Sequence, residues 1–186
     1  HSAGQSYTLT LPTGNLTAGN VLKINSISGS GTTAIGQLEA PSELTMPNQP
    51  AFQARPSGTI GNIATETVIS MNNEIFDQGS DYNTSTYTFT APVTGRYFFS
   101  VAVRIDSLDT ASNWQRITLD TSNHSYANSI IDLGGLSGDP AHWNISYAVL
   151  ADMDANDTAS IKYWQSGGST QADISASSYF SGYLAC

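Results

Sequence analysis

The side chains that could do chemistry are few and scattered. Three histidines, His1, His124 and His142, stand far apart, and none falls in an H-E-x-x-H or H-x₃-H pattern that would aim two imidazoles at one metal. A surface or packing role is the ordinary expectation for each. Acids are commoner: 15 Asp and Glu stand against 6 Lys and Arg, for a net charge of -9. Several crowd into Asp152-Met153-Asp154-Ala155-Asn156-Asp157, but a solvated turn supplies no low-dielectric pocket to raise a general acid's pKa. Polysaccharide cleavage would need paired carboxylates in a cleft, and no spacing announces such a pair. Neither Gly-x-Ser-x-Gly nor Gly-x-Gly-x-x-Gly occurs. The expectation is a protein that is not an enzyme.

Polar residues in long connections suit binding better. Three Gly- and Ser-rich stretches, 106–113, 134–142 and 167–177, carry Asp106, Asp109, Asn113, Asp139, His142, Gln171 and Asp173. Loops on a rigid scaffold are where recognition concentrates. The carboxylates would suit calcium best, yet calcium takes six to eight oxygens and no loop has EF-hand spacing. Solvated aspartates are the ordinary state, so no cofactor is expected. Trp143, next to His142, could stack on a sugar ring. For Trp114, Trp143 and Trp164 alike, a core or rim position is the commoner one.

Composition removes other partners. With so few cations the chain has no electrostatic footprint for nucleic acid or an anionic membrane surface. No apolar run approaches a membrane span. Cys186, the final residue, is the one cysteine, which rules out an intrachain disulfide and a thiolate zinc site. The first residue is His1, as in a processed or truncated product, and no signal peptide opens the chain.

The elements that must position these loops are strands. Charged residues make up 11% and hydrophobic ones 39%, with Ser, Thr, Asn and Gly plentiful, a profile that favours an all-β chain. Residues 1–48 read as short extended pieces: Tyr7-Thr8-Leu9-Thr10-Leu11 alternates strictly, and Val21-Leu22-Lys23-Ile24 follows before Gly29-Ser30-Gly31. This stretch has too few large apolar residues to close its own core, and it ends in a Pro-rich linker with Pro41, Pro47 and Pro50. Residues 49–186 are denser. Strands are predicted at 51–55, 66–72, 85–90, 95–105, 114–121, 126–133, 143–151, 158–166 and 179–185, spaced by turn clusters as in a sandwich or jelly roll.

Four segments of this second part resemble the C1q globular-head family, of the C1q/tumour-necrosis-factor type. Ala51-Phe52-Gln53-Ala54-Arg55 is similar to the family's first strand. Ile75-Phe76-Asp77-Gln78-Gly79-Ser80-Asp81-Tyr82-Asn83 looks like its Asn-x-x-x-x-Tyr-Asp segment, with Asp77 in the early polar position. Tyr87-Thr88-Phe89-Thr90-Ala91-Pro92-Val93-Thr94-Gly95-Arg96-Tyr97-Phe98-Phe99 is the most specific match, and Ser178-Tyr179-Phe180-Ser181-Gly182-Tyr183-Leu184 resembles the closing strand. Physics gives these residues structural work. Pro92 lacks an N–H and suits a turn, while Gly95 is expected to use a positive φ. Phe89, Tyr97 and Phe99 are expected to fill the core with Phe52 and Phe180, Gly182 to leave room for a bulky neighbour, and Tyr183 to complete the closing motif.

The resemblance implies an antiparallel jelly-roll homotrimer with both termini at its base. Alternating strands would then bring the three long loops to the far tip, where some heads of this family hold calcium. No Gly-X-Y collagen stalk precedes the head. Instead, Tyr7-Thr8-Leu9-Thr10-Leu11-Pro12 and Thr17-Ala18-Gly19-Asn20-Val21-Leu22-Lys23 resemble a segment of bacteriophage tail-fibre and other virion structural proteins. Together these imply a virion protein, in a tail fibre or decorating the capsid surface, with a β stalk and a C1q-like tip. Its partners would be other virion proteins and a host-surface receptor or polysaccharide. The alternative is a secreted eukaryotic C1q-family lectin or immune ligand, for which Asn-x-Ser/Thr sequons at Asn15, Asn83, Asn123, Asn144 and Asn156 would matter. A tip depolymerase is the enzymatic alternative.

Overall fold

The computed structural model describes Met46 and residues 48–186, the side chains of 128 and 129 excepted, together with the backbone of 9–10, 23–28 and 35–39. Two compact units result, His1–Met46 and Pro47–Cys186. In the first, β1 (Leu9–Thr10) pairs in parallel with β3 (Ile35–Glu39), and β2 (Lys23–Ser28) pairs antiparallel with β3. The expected alternation of Tyr7 with Leu11, the Val21–Leu22 step and most of the 39–50 linker lie outside the described residues.

The second unit is two six-stranded antiparallel sheets, with no helix among the described residues. Its strands are β4 (Ala51–Arg55), β5 (Thr67–Val68), β6 (Asn73–Asp77), β7 (Tyr82–Asn83), β8 (Thr88–Thr90), β9 (Gly95–Asp106), β10 (Ser112–Thr121), β11 (Ser125–Asp132), β12 (His142–Met153), β13 (Thr158–Gly167), β14 (Asp173–Ile174) and β15 (Tyr179–Leu184). One sheet runs β12-β9-β15-β4-β6, with β14 also on β9. The other runs β11-β10-β13-β8-β7, with β5 also on β13. This is a jelly roll.

Period-two patterning builds the layers. On β9 the β-branched and aromatic residues Tyr97, Phe99, Val101, Val103 and Ile105 face inward, while Phe98, Ser100, Ala102, Arg104 and Asp106 face out. On β10 the inward set is Gln115, Ile117 and Leu119. Phe52 joins the sheets: its ring stacks on Tyr82 at 4.9 Å and Phe89 at 4.8 Å and meets Phe180 edge-on at 4.9 Å. Each such pair adds about 0.5–1.5 kcal/mol beyond its buried area.

Two motif glycines are there because neighbours crowd them. A Cβ on Gly182 would lie 2.5 Å from Phe99 Cδ1 and 3.0 Å from Phe52 Cε1. The expectation for Gly95 needs correction. Its φ is not positive; the backbone of the chain end passes so close that a Cβ would stand 2.7 Å from both the Cys186 carbonyl oxygen and Leu184 Cδ1. Pro92 sits exposed in the β8–β9 turn, and Tyr97 donates from its hydroxyl to the Val93 carbonyl in that turn at 2.8 Å. Tyr183 does not enter the core. It faces out and packs against Phe98 at 5.4 Å.

Several strand limits differ from the pattern reading. The strand predicted at 66–72 is reduced to β5, and the edge strand β6 follows it. Ile69 and Met71 are buried as their spacing suggests, but Ile69 N–H donates once to the Ile161 carbonyl and the chain then leaves the sheet. The stretch predicted at 85–90 contracts to β8, because Asn83 Oδ1 accepts the Ser85 and Thr86 N–H groups and makes a turn there.

Candidate binding surface

Strand β9 spans the unit end to end, roughly 35 Å at about 3.3 Å per residue. At its start lie Pro50, which accepts from Leu184 N–H, and Cys186, which accepts from Arg96 N–H. The Asp152–Asp157 turn is at that end too, where Asp157 Oδ1 accepts the Ser122 hydroxyl at 2.7 Å. At the other end of β9 the β9–β10, β11–β12 and β13–β14 loops meet.

Two aspartates brace that meeting. Asp109, in the β9–β10 loop, is only 2% exposed. Its Oδ1 accepts Ala111 N–H at 2.9 Å, and its Oδ2 accepts both the N–H and, at 3.2 Å, the hydroxyl of Ser169. The chain reaches it because Gly167 and Gly168 both adopt φ +73, and any Cβ on Gly168 would collide with the Asp109 carboxylate. Asp139, in the β11–β12 loop, accepts Thr110 N–H at 2.9 Å and Gln171 Nε2–H at 2.9 Å, and Thr110 Oγ1 also donates to it. The Thr110 hydroxyl, then the Thr110 N–H and Gln171, hold its carboxyl below the ordinary range. Gln171 thus ties all three loops together.

Asp106 and His142 form a second group with Arg104, which the sequence reading missed. Arg104 donates to Asp106 from Nε at 2.7 Å and Nη2 at 3.0 Å, and His142 Nδ1 lies 2.7 Å from the same carboxylate. Burial pushes the Asp106 carboxyl up, but the Arg104 and His142 hydrogen bonds and charges together outweigh it and hold it low. Register places Arg104 next to Asn144 and Asp106 next to His142, all facing out.

The remaining candidates stand apart. Asp173 is in β14, not in a loop, and its Oδ1 accepts Asn62 N–H at 2.7 Å. Asn113 is exposed and reaches Ser166 Oγ only at 3.5 Å. Trp143, the second residue of β12, pairs with Ile105 and is 36% exposed. Among the described residues no group of three or more His, Cys, Asp or Glu side chains could hold a metal ion. Sequence reasoning also missed Ser169 and Thr110; the Gly167–Gly168 pair was the available signal for a close approach there.

The middle of the outer face of the β9 sheet carries an apolar row. Register lines up Leu150, Phe98, Tyr183 and Ala51 in one row, and Ala148, Ser100, Ser181, Gln53 and Phe76 in the next. Leu150 is 55% exposed, Phe76 48% and Tyr183 45%.

Comparison with known proteins agrees with this geometry. The C1q domain family matches residues 51–185. The globular domain of zebrafish complement 1qA protein is similar at 17% identity, with a TM-score of 0.55 over 74% of this chain and 98% of that one. The Eiger TNF structure from S. frugiperda, 10% identical, has a TM-score of 0.50 over 74% of this chain and 92% of its own. These two likenesses are of fold. No curated protein matches. With the motif segments, the core they fill and the matched span in agreement, the chain belongs to the C1q domain family.

Proposed function

We propose that this chain is a non-enzymatic recognition head that works as a homotrimer and presents its braced loops to a ligand. The apolar outer face of the β9 sheet carries this reading. An isolated protomer would leave Leu150, Tyr183, Phe76 and part of Phe98 in water on one sheet face, and contiguous patches of that kind mark interaction sites. Small residues between them, Ala51, Ala102 and Ala148, would let a second copy approach closely. Three copies would give three tips pointing one way, and avidity can exceed single-site affinity by about 10²–10⁴. Asn113, Asp139, His142 and Gln171 are the tip residues we assign to the ligand, with Asp106 and Asp109 bracing the loops that carry them and Asp173, bonded to Asn62, at their margin.

In the reading we favour, residues 1–48 are the stalk joining this head to a virion, as a tail-fibre tip or a capsid decoration, and the ligand is a host-surface receptor or polysaccharide. Support for that comes from the resemblance of the Tyr7–Leu11 and Thr17–Lys23 segments. The rival reading, a secreted eukaryotic C1q-family ligand, is favoured by exposed sequon asparagines at 83, 123, 144 and 156. Asn144 discriminates between the two, because it lies on the outer face of β12, where a glycan would stand against packing of a second copy. Mass spectrometry of the protein from its natural source tests this: bare Asn144 is expected, and a glycan there would overturn the packing proposed. Size-exclusion chromatography with light scattering tests the trimer.

A further inference from the structure

On the opposite side of the sandwich, the outer face of the β10 sheet holds a different group. Trp114, Arg116, Thr118 and Asp120 point outward from β10, because Gln115, Ile117 and Leu119 fill the core between them. Register sets Arg116 beside Trp164 of β13. The guanidinium therefore lies near two indoles, 5.1 Å from the Trp114 ring centroid and 4.7 Å from that of Trp164. Both contacts are within cation–π range, which holds the cation by its π-facing surface and leaves its N–H groups for hydrogen bonding.

Among the described residues the guanidinium has no acceptor. Lys162, Arg104 and Arg96 each pair with an aspartate, yet Arg116 makes no ion pair or hydrogen bond among the described residues. This is unusual in a chain with 15 acids and 6 Lys and Arg. Its Nε is buried without a partner, as are Trp164 Nε1 and Thr118 Oγ1 on the same face. A stack that served packing alone would not need a buried Nε left unpaired, since buried polar groups are almost always satisfied. Asp132, across from Trp114, makes no ion pair with Arg116, and its Oδ1 accepts Gly134 N–H at 3.0 Å.

We infer that the Trp114–Arg116–Trp164 stack is a second binding site, for the carboxylate of an acidic sugar within a polysaccharide. The guanidinium edge would take the carboxylate bidentately, through charge-assisted hydrogen bonds of the strong kind. The indole rims and Ile130, opposite Arg116 and 55% exposed, would carry the apolar face of the ring. The surface is an open sheet face and not a sheet edge or helical groove, which suits a flat saccharide better than a peptide. The site needs neither the trimer nor the loop tip.

Tetragalacturonate and its methyl ester form a matched pair of probes, identical in rings and different in charge. Titrated into the full chain carrying Trp143→Phe, with tryptophan fluorescence and calorimetry as readouts, the free acid should bind with a Kd of roughly 0.1–1 mM and perturb the emission. The ester should bind about tenfold more weakly or worse. Arg116→Gln should abolish the preference for the acid, and Arg116→Lys, which keeps the charge and the fold, should cost about fivefold or more by losing the fork. Equal binding of acid and ester, no binding of either, or an Arg116→Lys affinity equal to the parent's would overturn the inference. So would a Glu-rich peptide of equal charge binding as tightly as the sugar.

Discussion

Asp109→Asn keeps the shape of the tip brace and removes its charge. In the parent the carboxylate accepts the N–H groups of Ala111 and Ser169 and the Ser169 hydroxyl, at a position only 2% exposed. Asn offers one oxygen and one NH₂, so at least one of these donors meets another donor. An orphaned buried donor costs about 1–3 kcal/mol, and two partly relieved by water give about 2–4 kcal/mol. In a unit of about 140 residues each kcal/mol lowers the melting temperature by roughly 3–4 °C, so a fall of roughly 6–16 °C is expected. Scanning calorimetry reads the global part. Hydrogen exchange at the Ala111 and Ser169 amides reads the local part, which should accelerate even if the loops open without global unfolding. Asp152→Asn is the control: its pairing with Arg96 is 3.6 Å long and largely exposed, and should matter by less than about 0.5 kcal/mol. Should Asp109→Asn melt within 2 °C of the parent with unchanged exchange at both amides, the brace would be refuted.

Gly182→Ala should destabilise by about 1–3 kcal/mol, seen in urea denaturation, because its methyl would meet the Phe99 and Phe52 rings. Asp106, held below its ordinary value of 3.8, stabilises the fold above that pH, and this contribution disappears as acid takes the solution through the lower folded-state pKa. Acid titration of Asp106→Asn should therefore show lower stability at neutral pH and a shallower loss below pH 4 than the parent. Leu150→Asp places a charge in the middle of the outer apolar row and should separate the copies while far-ultraviolet circular dichroism stays that of folded sheet.

Much of the head was legible because strand patterning is local. Tyr97, Phe99, Val101, Val103 and Ile105 announce one buried face within a single stretch of chain, and the Phe89–Phe99 and Phe180–Leu184 segments identify the family. What failed depended on distant partners. Gly95 looked like a turn glycine, but its constraint comes from Leu184 and Cys186 at the other end of the sequence. Asp109 looked like one more loop acid because Ser169, which buries it, is 60 residues away. Asp173 read as loop, since a two-residue strand has no period to detect. Trp114 and Arg116 share a face by simple alternation, yet only the β10–β13 register brings Trp164 onto the same guanidinium.

In the assembly we propose, the outer face of the β9 sheet is covered by further copies of this chain. Light scattering on the full chain at micromolar concentration measures it directly. A trimer of 19.7 kDa protomers has a mass of about 59 kDa, and Leu150→Asp should bring it down to that of one protomer. A parent protein that stays at 19.7 kDa would contradict the claim.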